Sequence, residues 1–315
     1  MSIAGGLENA FLAGQAVGCN CLQIFVKNPR QVRGPALTEA QVAAFRTAMS
    51  ATCLTPVIAH ANYLLNLASP SESLRTLSVE ALTNELTRCE ALGVEALVMH
   101  PGAHLQNTEK PKRRNAETSN QSRERKRTDG IATVAVADSV LDEATGGGIE
   151  RISAGLDEVH RRCAGFRSMI LLETTAGQGT SIGWRFEHLR GILDRVNDPD
   201  RLGVCLDTCH LFAAGYDFRT PDTYAATIEQ LDGVIGLALV RCIHVNDSKR
   251  ELGSRVDRHE HIGKGKIGKY GFAHFVNDPR FAGVPMILET PKGVDDRGTD
   301  LDKVNLGRLR SLICP

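Results

Sequence analysis

The chain has 315 residues, of which 42% are hydrophobic and 23% charged, with 30 Gly and 12 Pro. This composition excludes a disordered chain, a collagen-like repeat and a coiled coil, and the apolar runs are too short to span a membrane as a helix. Lys plus Arg and Asp plus Glu both number 37, so no global field points to a polyanion, and any attraction for phosphate has to be local.

The N-terminal MSIAGGLENAF has neither a basic region nor a long apolar core, so no signal peptide is expected. The nine cysteines, odd in number and set in apolar or helical segments, then read as free thiols of a cytoplasmic protein. A helix fits residues 7–17, followed by the continuous apolar run CLQIFV (21–26). Thr38 and Gln41 set a capping box for a helix that puts Val42, Phe45 and Met49 on one face. The next run, TPVIAH (55–60), leads to a helix with Ser69 expected as N-cap, Pro70 at N1, Glu72 at N3 and Gly93 as its stop. VEALVMH (94–100) follows. Residues 107–130 then break the rhythm, with eight Lys/Arg, four Asp/Glu and no aromatic. They read as a solvated basic insertion, in preference to a DNA-binding arm, reaching to about 148. Within it, 131–144 forms a helix of its own and Gly146, Gly147 and Gly148 release the chain. The remainder alternates: helix 150–164, SMILLE (168–173), helix 184–195, LGVCLD (202–207), helix 222–236, VRCIHV (240–245), helix 268–278, VPMILE (284–289) and helix 300–312.

Continuous apolar strands alternating with helices predict a parallel sheet covered on both faces. Seven strands and eight helices point to a single α/β domain over 1–315, a (β/α)8 TIM barrel lacking its first strand at the N-terminus. The strands at 21–26 and 284–289 would then each lack a neighbour. A start upstream of residue 1 is expected, and a native N-terminus found at residue 1 or 2 by mass spectrometry would overturn it.

Ligand-type residues gather at the strand ends. His60, His100, Glu173, Asp207 and Glu289 each close an apolar run, and His244 lies near the end of another. In a barrel these ends converge on one face, where active sites are built. Asp207 and His210 sit three apart in DTCH, and Asp257 and His259 two apart in DRH, so either pair can turn into one cavity. Five His and four carboxylates suit zinc or manganese, exceed the needs of one ion, and suffice for three if one carboxylate bridges. Three divalent ions would outweigh four carboxylates, leaving a cationic site that draws an anion and activates water for phosphodiester hydrolysis.

HANYLLNLA (60–68), HPGAHL (100–105), LLETTAGQG (171–179), GVCLDTCHLFAAGYD (203–217), HVNDS (244–248), GSRVDRH (253–259) and ILET (287–290) together resemble the endonuclease IV family of apurinic/apyrimidinic (AP) endonucleases. The resemblance covers nearly the whole chain outside 107–148. It implies three Zn2+ per chain, with Mn2+ admitted at one site: the first held by His60 and His100, with Glu173 bridging to a second that also takes Asp207, His244 and Glu289. His210, Asp257 and His259 would hold the third. It further implies a hydroxide between the first two metals, oriented by the catalytic Glu173, attacking in line 5′ to an abasic nucleotide in double-stranded DNA. The third zinc would stabilise the departing 3′-oxygen, leaving a 3′-hydroxyl and a 5′-deoxyribose phosphate. Arg30, Tyr63 and Leu64 match the DNA-binding side chains that wedge into the stack beside the flipped sugar. The resemblance also implies a monomer with no nucleotide cofactor and no membrane partner.

Two other readings compete: a sugar isomerase or epimerase of the same metal-barrel superfamily, needing one or two ions, and an abasic-site binder crippled by the missing strand. Taken alone, Tyr63 could equally start a helix and pack. His104, His160, His188, His261 and His274 read as surface or core residues, and Trp184 as packing at a helix start. GKGKIG (263–268) fits a dinucleotide fingerprint but follows a loop, which argues against a nucleotide site, although Lys264 and Lys266 could touch DNA phosphates.

Overall fold

The computed structural model describes residues 1–106 and 142–314. The stretch 107–130 and nearly all of the helix expected over 131–144 lie outside the described residues. Each apolar run forms a strand: β1 Leu22–Ile24, β2 Val57–His60, β3 Ala96–Met99, β4 Met169–Glu173, β5 Leu202–Asp207, β6 Val240–His244 and β7 Met286–Ile287. They lie side by side in chain order as one parallel sheet. The helices are α1 Asn9–Val17, α2 Glu39–Thr52, α3 Glu72–Leu92, α4 Glu143–Arg162, α5 Phe186–Leu193, α6 Thr208–Ala214, α7 Pro221–Val234, α8 Gly268–Val276 and α9 Leu301–Arg310.

The strands bury both faces, and alternate residues divide between them. Leu97, Ile170, Leu172, Val204 and Leu206 join the large cluster under the helices. Ile58, Ala96, Val98, Leu171, Cys205, Cys242 and Ile287 form a separate inner layer, with Cys21 packed against it. That inner layer fixes the site by register. Two residues beyond Ile58, Val98, Leu171, Cys205, Cys242 and Ile287 stand His60, His100, Glu173, Asp207, His244 and Glu289, the same-face positions one layer up.

β1 and β7 each have one ladder neighbour, so the sheet stays open between them. The eighth strand of a closed barrel has no counterpart among the described residues. A cavity of about 490 Å3 occupies the seam, lined by Met1, Cys21, Gln23, Ile24, Met286 and Leu288 among others. The Met1 amine donates to the Gln23 carbonyl at its rim.

Two local expectations are corrected. The N-cap of α3 is Ser71, whose side chain accepts from Leu74 N, because Ser69 Oγ is spent on the Ser71 N–H at 3.1 Å. The triple glycine lies inside α4 and does not release the chain: Asp142 caps that helix through the Thr145 N–H at 2.8 Å. A Cβ on Gly148 would sit 2.4 Å from the Ile182 side chain, so close packing outweighs the low helix propensity of glycine there. DTCH opens a seven-residue helix, α6, with Asp207 as its N-cap. The capping box of Thr38 and Gln41 forms as the sequence predicts. Among the described residues no helix is long and apolar enough to cross a membrane.

Candidate metal centre

The nine strand-end and loop ligands converge in three groups, each with its donor atoms within 4.8 Å of one another: His60, His100 and Glu173; Glu173, Asp207, His244 and Glu289; and His210, Asp257 and His259. Glu173 is fully buried and belongs to two of them. Its Oε2 lies 3.1 Å from His60 Nε2 and 3.0 Å from His100 Nε2, while Oε1 lies 2.9 Å from His244 Nδ1. Asp257 spans the third group, 3.2 Å from His210 Nε2 and 3.4 Å from His259 Nε2. Cys205 and Cys242 also approach His244, and Cys209 approaches Asp207 and His259. Burial pushes the Cys205 and Cys209 thiols above their ordinary pKa, which disfavours the thiolate a metal would need.

The imidazoles are oriented from behind. Nδ1 of His60, His210 and His259 donates to the carbonyls of Ala61 (2.7 Å), Thr174 (2.8 Å) and Glu289 (3.2 Å), so each turns Nε2 to the cluster. His210 Nε2 and His259 Nε2 are buried without a hydrogen-bond partner while facing Asp257. Imidazole nitrogens turned on a carboxylate need a cation between them, a proton in the metal-free protein or a divalent metal in its place, and the donor set fits such a metal. Asn246 Nδ2 donates to Asp207 Oδ2 at 2.7 Å, and its Oδ1 accepts the Glu289 N–H at 2.7 Å. Thr174 Oγ1 accepts the Asp207 N–H at 2.9 Å.

Charge in the cluster is mutually sustained. Burial works against charge on His210, yet Asp207, Asp257 and Glu173 hold its pKa well above the ordinary imidazole value. Burial likewise opposes ionisation of Glu173, and His100 and His244 still keep it well below the usual carboxylate range. Glu289 is lowered against its burial by His244.

Beside the cluster, Tyr63 is 69% and Leu64 52% exposed on a turn outside any helix, so the packed-helix alternative for Tyr63 does not hold. Arg30 is exposed on the neighbouring loop after β1. The two loops are tied beneath by a buried pair: Lys27 Nζ lies 2.6 Å from Glu85 Oε1 and donates to the Gln31 carbonyl. Glu85, on α3, accepts the Asn62 side-chain amide at 3.1 Å and its N–H at 3.3 Å.

The other histidines lie apart from the three groups. His104, His160 and His188 are buried, His261 bonds Asn305, and His274 stacks on Tyr224. Trp184 precedes α5 and carries the Arg255 guanidinium 3.3 Å over its ring. The N–H groups of Gly265 and Ile267 in the glycine-rich loop bond the Asp247 carboxylate, both at 3.0 Å, which gives that loop a structural role. Lys266 pairs with Glu251.

Sequence reasoning missed Gln23, Glu85, Thr174 and Asn246. A signal for Gln23 existed: it stands two residues beyond Cys21, the same offset that places the strand-end ligands.

An open parallel barrel with a three-part donor set at the C-terminal ends of its strands defines a metal-binding α/β barrel. The family model of xylose isomerase-like TIM barrels matches residues 11–306. A protein of Chloroflexus aggregans described as "Probable endonuclease 4" is 45% identical over 99% of this chain and 96% of its own length. Another so described, from Trichlorobacter lovleyi, is 41% identical over 99% of this chain and 97% of its own. The crystal structure of endonuclease IV from Thermus thermophilus superposes with a TM-score of 0.76 at 35% identity, covering 99% of this chain and 96% of that one. The chain belongs to the endonuclease IV family. D-psicose 3-epimerase from Clostridium cellulolyticum, with a TM-score of 0.63 at 14% identity over 99% of this chain and 96% of that one, shares the fold alone.

Proposed function

We propose that the protein is a zinc-dependent AP endonuclease that hydrolyses the phosphodiester bond 5′ to an abasic site in double-stranded DNA, leaving a 3′-hydroxyl and a 5′-deoxyribose phosphate. The observation that carries this reading is the sharing of buried Glu173 between two of three adjoining donor groups. An isomerase or epimerase needing one or two ions has no use for the third group, His210, Asp257 and His259. Zinc bound in the three groups supplies Lewis acidity toward the phosphate and lowers the pKa of water; manganese suits one of them.

The chain's own side chains do the rest. Glu173 acts as the catalytic carboxylate, orienting the attacking water in line with the scissile bond. Arg30, Tyr63 and Leu64 enter the stack beside the lesion, where a missing base leaves little to unstack, so recognition rests on deformability more than sequence. The reading takes the protein to be a monomer of the cytoplasm, with neither a nucleotide cofactor nor a membrane partner.

The test is nicking of a duplex carrying a single abasic analogue by purified protein, zinc-loaded and metal-stripped. A zinc-dependent cut 5′ to the lesion is expected. Tight lesion binding with full zinc content and no cut would make it an inactive binder, and about one metal per chain with no cut would favour the epimerase class.

A further inference from the structure

We propose that Gln23 is a positioning residue of the metal centre, its amide clasping His244 and Glu289. The proposal rests on the reading of those two residues as metal ligands. Gln23 Oε1 lies 2.7 Å from His244 Nε2, and Gln23 Nε2 donates to Glu289 Oε1 at 2.6 Å. An amide oxygen only accepts, so His244 carries a hydrogen on Nε2, which leaves Nδ1 as the nitrogen it can offer a metal in the cluster. That Nδ1 lies 2.9 Å from Glu173 Oε1 and 3.2 Å from Glu289 Oε2. The second contact occupies Glu289 Oε1 and leaves Oε2 for the centre. Both contacts fix the amide itself, because the flipped orientation would set its oxygen against a carboxylate.

His244 needs such a partner more than its neighbours do. His60, His210 and His259 are oriented by backbone carbonyls through Nδ1, whereas His244 faces the cluster with Nδ1 and sends Nε2 toward the seam. Glu289 lies just past β7, a strand of two residues paired to β6 alone. No ladder on the seam side holds it, and another hydrogen bond across the gap is the weak contact of Cys21 Sγ with the Met286 carbonyl at 3.8 Å. Gln23 stands in the ligand register, two residues beyond inner-layer Cys21, yet brings a neutral amide, which can satisfy an imidazole N–H and a carboxylate at once. A carboxylate at position 23 could accept from His244 but would repel Glu289.

The experiment uses the full chain as wild type, Gln23→Ala, Gln23→Glu and Gln23→Met, the last keeping the volume of the site without either hydrogen bond. Metal-stripped proteins are titrated with Zn2+ against a chelator and with Co2+, whose visible absorption reports coordination geometry. Loss of an orienting partner behind a ligand costs about 10- to 100-fold in metal affinity. That loss is expected for one of the bound ions in all three variants, with an altered Co2+ spectrum and retained near-UV circular dichroism in Gln23→Met. Nicking should lose kcat at unchanged KM for the abasic duplex, since no DNA-facing side chain moves. Variants that bind every ion as tightly as wild type with the same Co2+ spectrum overturn the clasp alone. A wild-type chain that binds no metal overturns the reading of the centre and the clasp with it.

Discussion

On the proposed reading, Glu173 concentrates the chemistry of the centre in two oxygen atoms. Four imidazoles crowd them, His60 and His100 at Oε2 and His244 and, at 3.5 Å, His210 at Oε1. Glu173→Gln replaces one oxygen by an amide nitrogen that has no lone pair for a metal and adds hydrogens facing bare imidazoles. Nicking should fall by roughly 10³-fold, with at least one metal ion lost by elemental analysis and near-UV circular dichroism retained. A variant that keeps both full metal content and full activity would remove Glu173 from the catalytic role. A different residue contributes to acid lability. His188 is buried and accepts the Gly183 N–H on Nδ1 at 3.2 Å. Burial, then Arg185, lowers its pKa to about 4, with Arg255 and His104 adding to that and Asp142 opposing it. Between about pH 6.5 and 4 the unfolded chain binds the extra proton, so the contribution of this group is complete above 6.5 and lost as pH falls through that window. The loss approaches about 3 kcal/mol. Urea midpoints at pH 7 and 4.5 should therefore fall further in wild type than in His188→Gln, and equal falls would exclude the assignment. Strand-end ligands were legible in the sequence because each closes its own apolar run. Gln23 shares their register but carries a neutral amide, not a ligand group, and its partner His244 is 221 positions away, so its offset from Cys21 was the one sign of it.

The two loops proposed to face DNA are joined at the level of elements by a network whose centre is an ion pair only 2% exposed on either side chain, Lys27 and Glu85. Arg88, also on α3, adds bonds to the Val26 and Pro35 carbonyls, both at 2.7 Å. The helix therefore fixes the loop after β1 from both flanks and reaches the Tyr63 turn through Asn62. Removing one charge strands the other in a dry site, which costs roughly 3–5 kcal/mol. Glu85→Gln should show that loss in chemical denaturation, and Lys27→Met combined with Glu85→Gln should recover much of it. Because the loops carry Arg30, Tyr63 and Leu64, the same variants should raise KM for the abasic duplex more than they lower kcat. Additive losses in the double variant would show that the pair is not coupled. Elements themselves were legible wherever apolar runs and caps coincide, as at Thr38. Legibility failed where two signals competed: Ser69 and Ser71 both precede α3, and three glycines in α4 read as a break although the smallness of Gly148 serves packing against Ile182.

Among the described residues, the sheet carries most ladders in its middle and fewest at the seam between β1 and β7. β4 and β5 are paired on both sides, with registers of four residues to each neighbour. β1 and β7 are paired on one side only, over three and two residues. Opening free energy follows the number of ladders and buried contacts that break, so protection should decline from β4 and β5 toward the seam. Native-state hydrogen exchange of the metal-free protein should show amides of β4 and β5 exchanging only through global unfolding. The Leu22 amide, bonded to the Pro56 carbonyl at 3.2 Å, and the Val245 amide, bonded to the Ile287 carbonyl at 2.7 Å, should exchange through smaller openings. Metal then has a predictable effect on this gradient. Ligands from β2 through β7 meet in one cluster, and Gln23 ties β1 to it, so a bound ion must be released before the seam can open. Zinc should slow exchange at β1 and β7 far more than at β4 and β5, which already require global unfolding. Uniform protection around the sheet without metal, or uniform slowing with it, would mean that the seam is not the weak point and that the centre does not brace it.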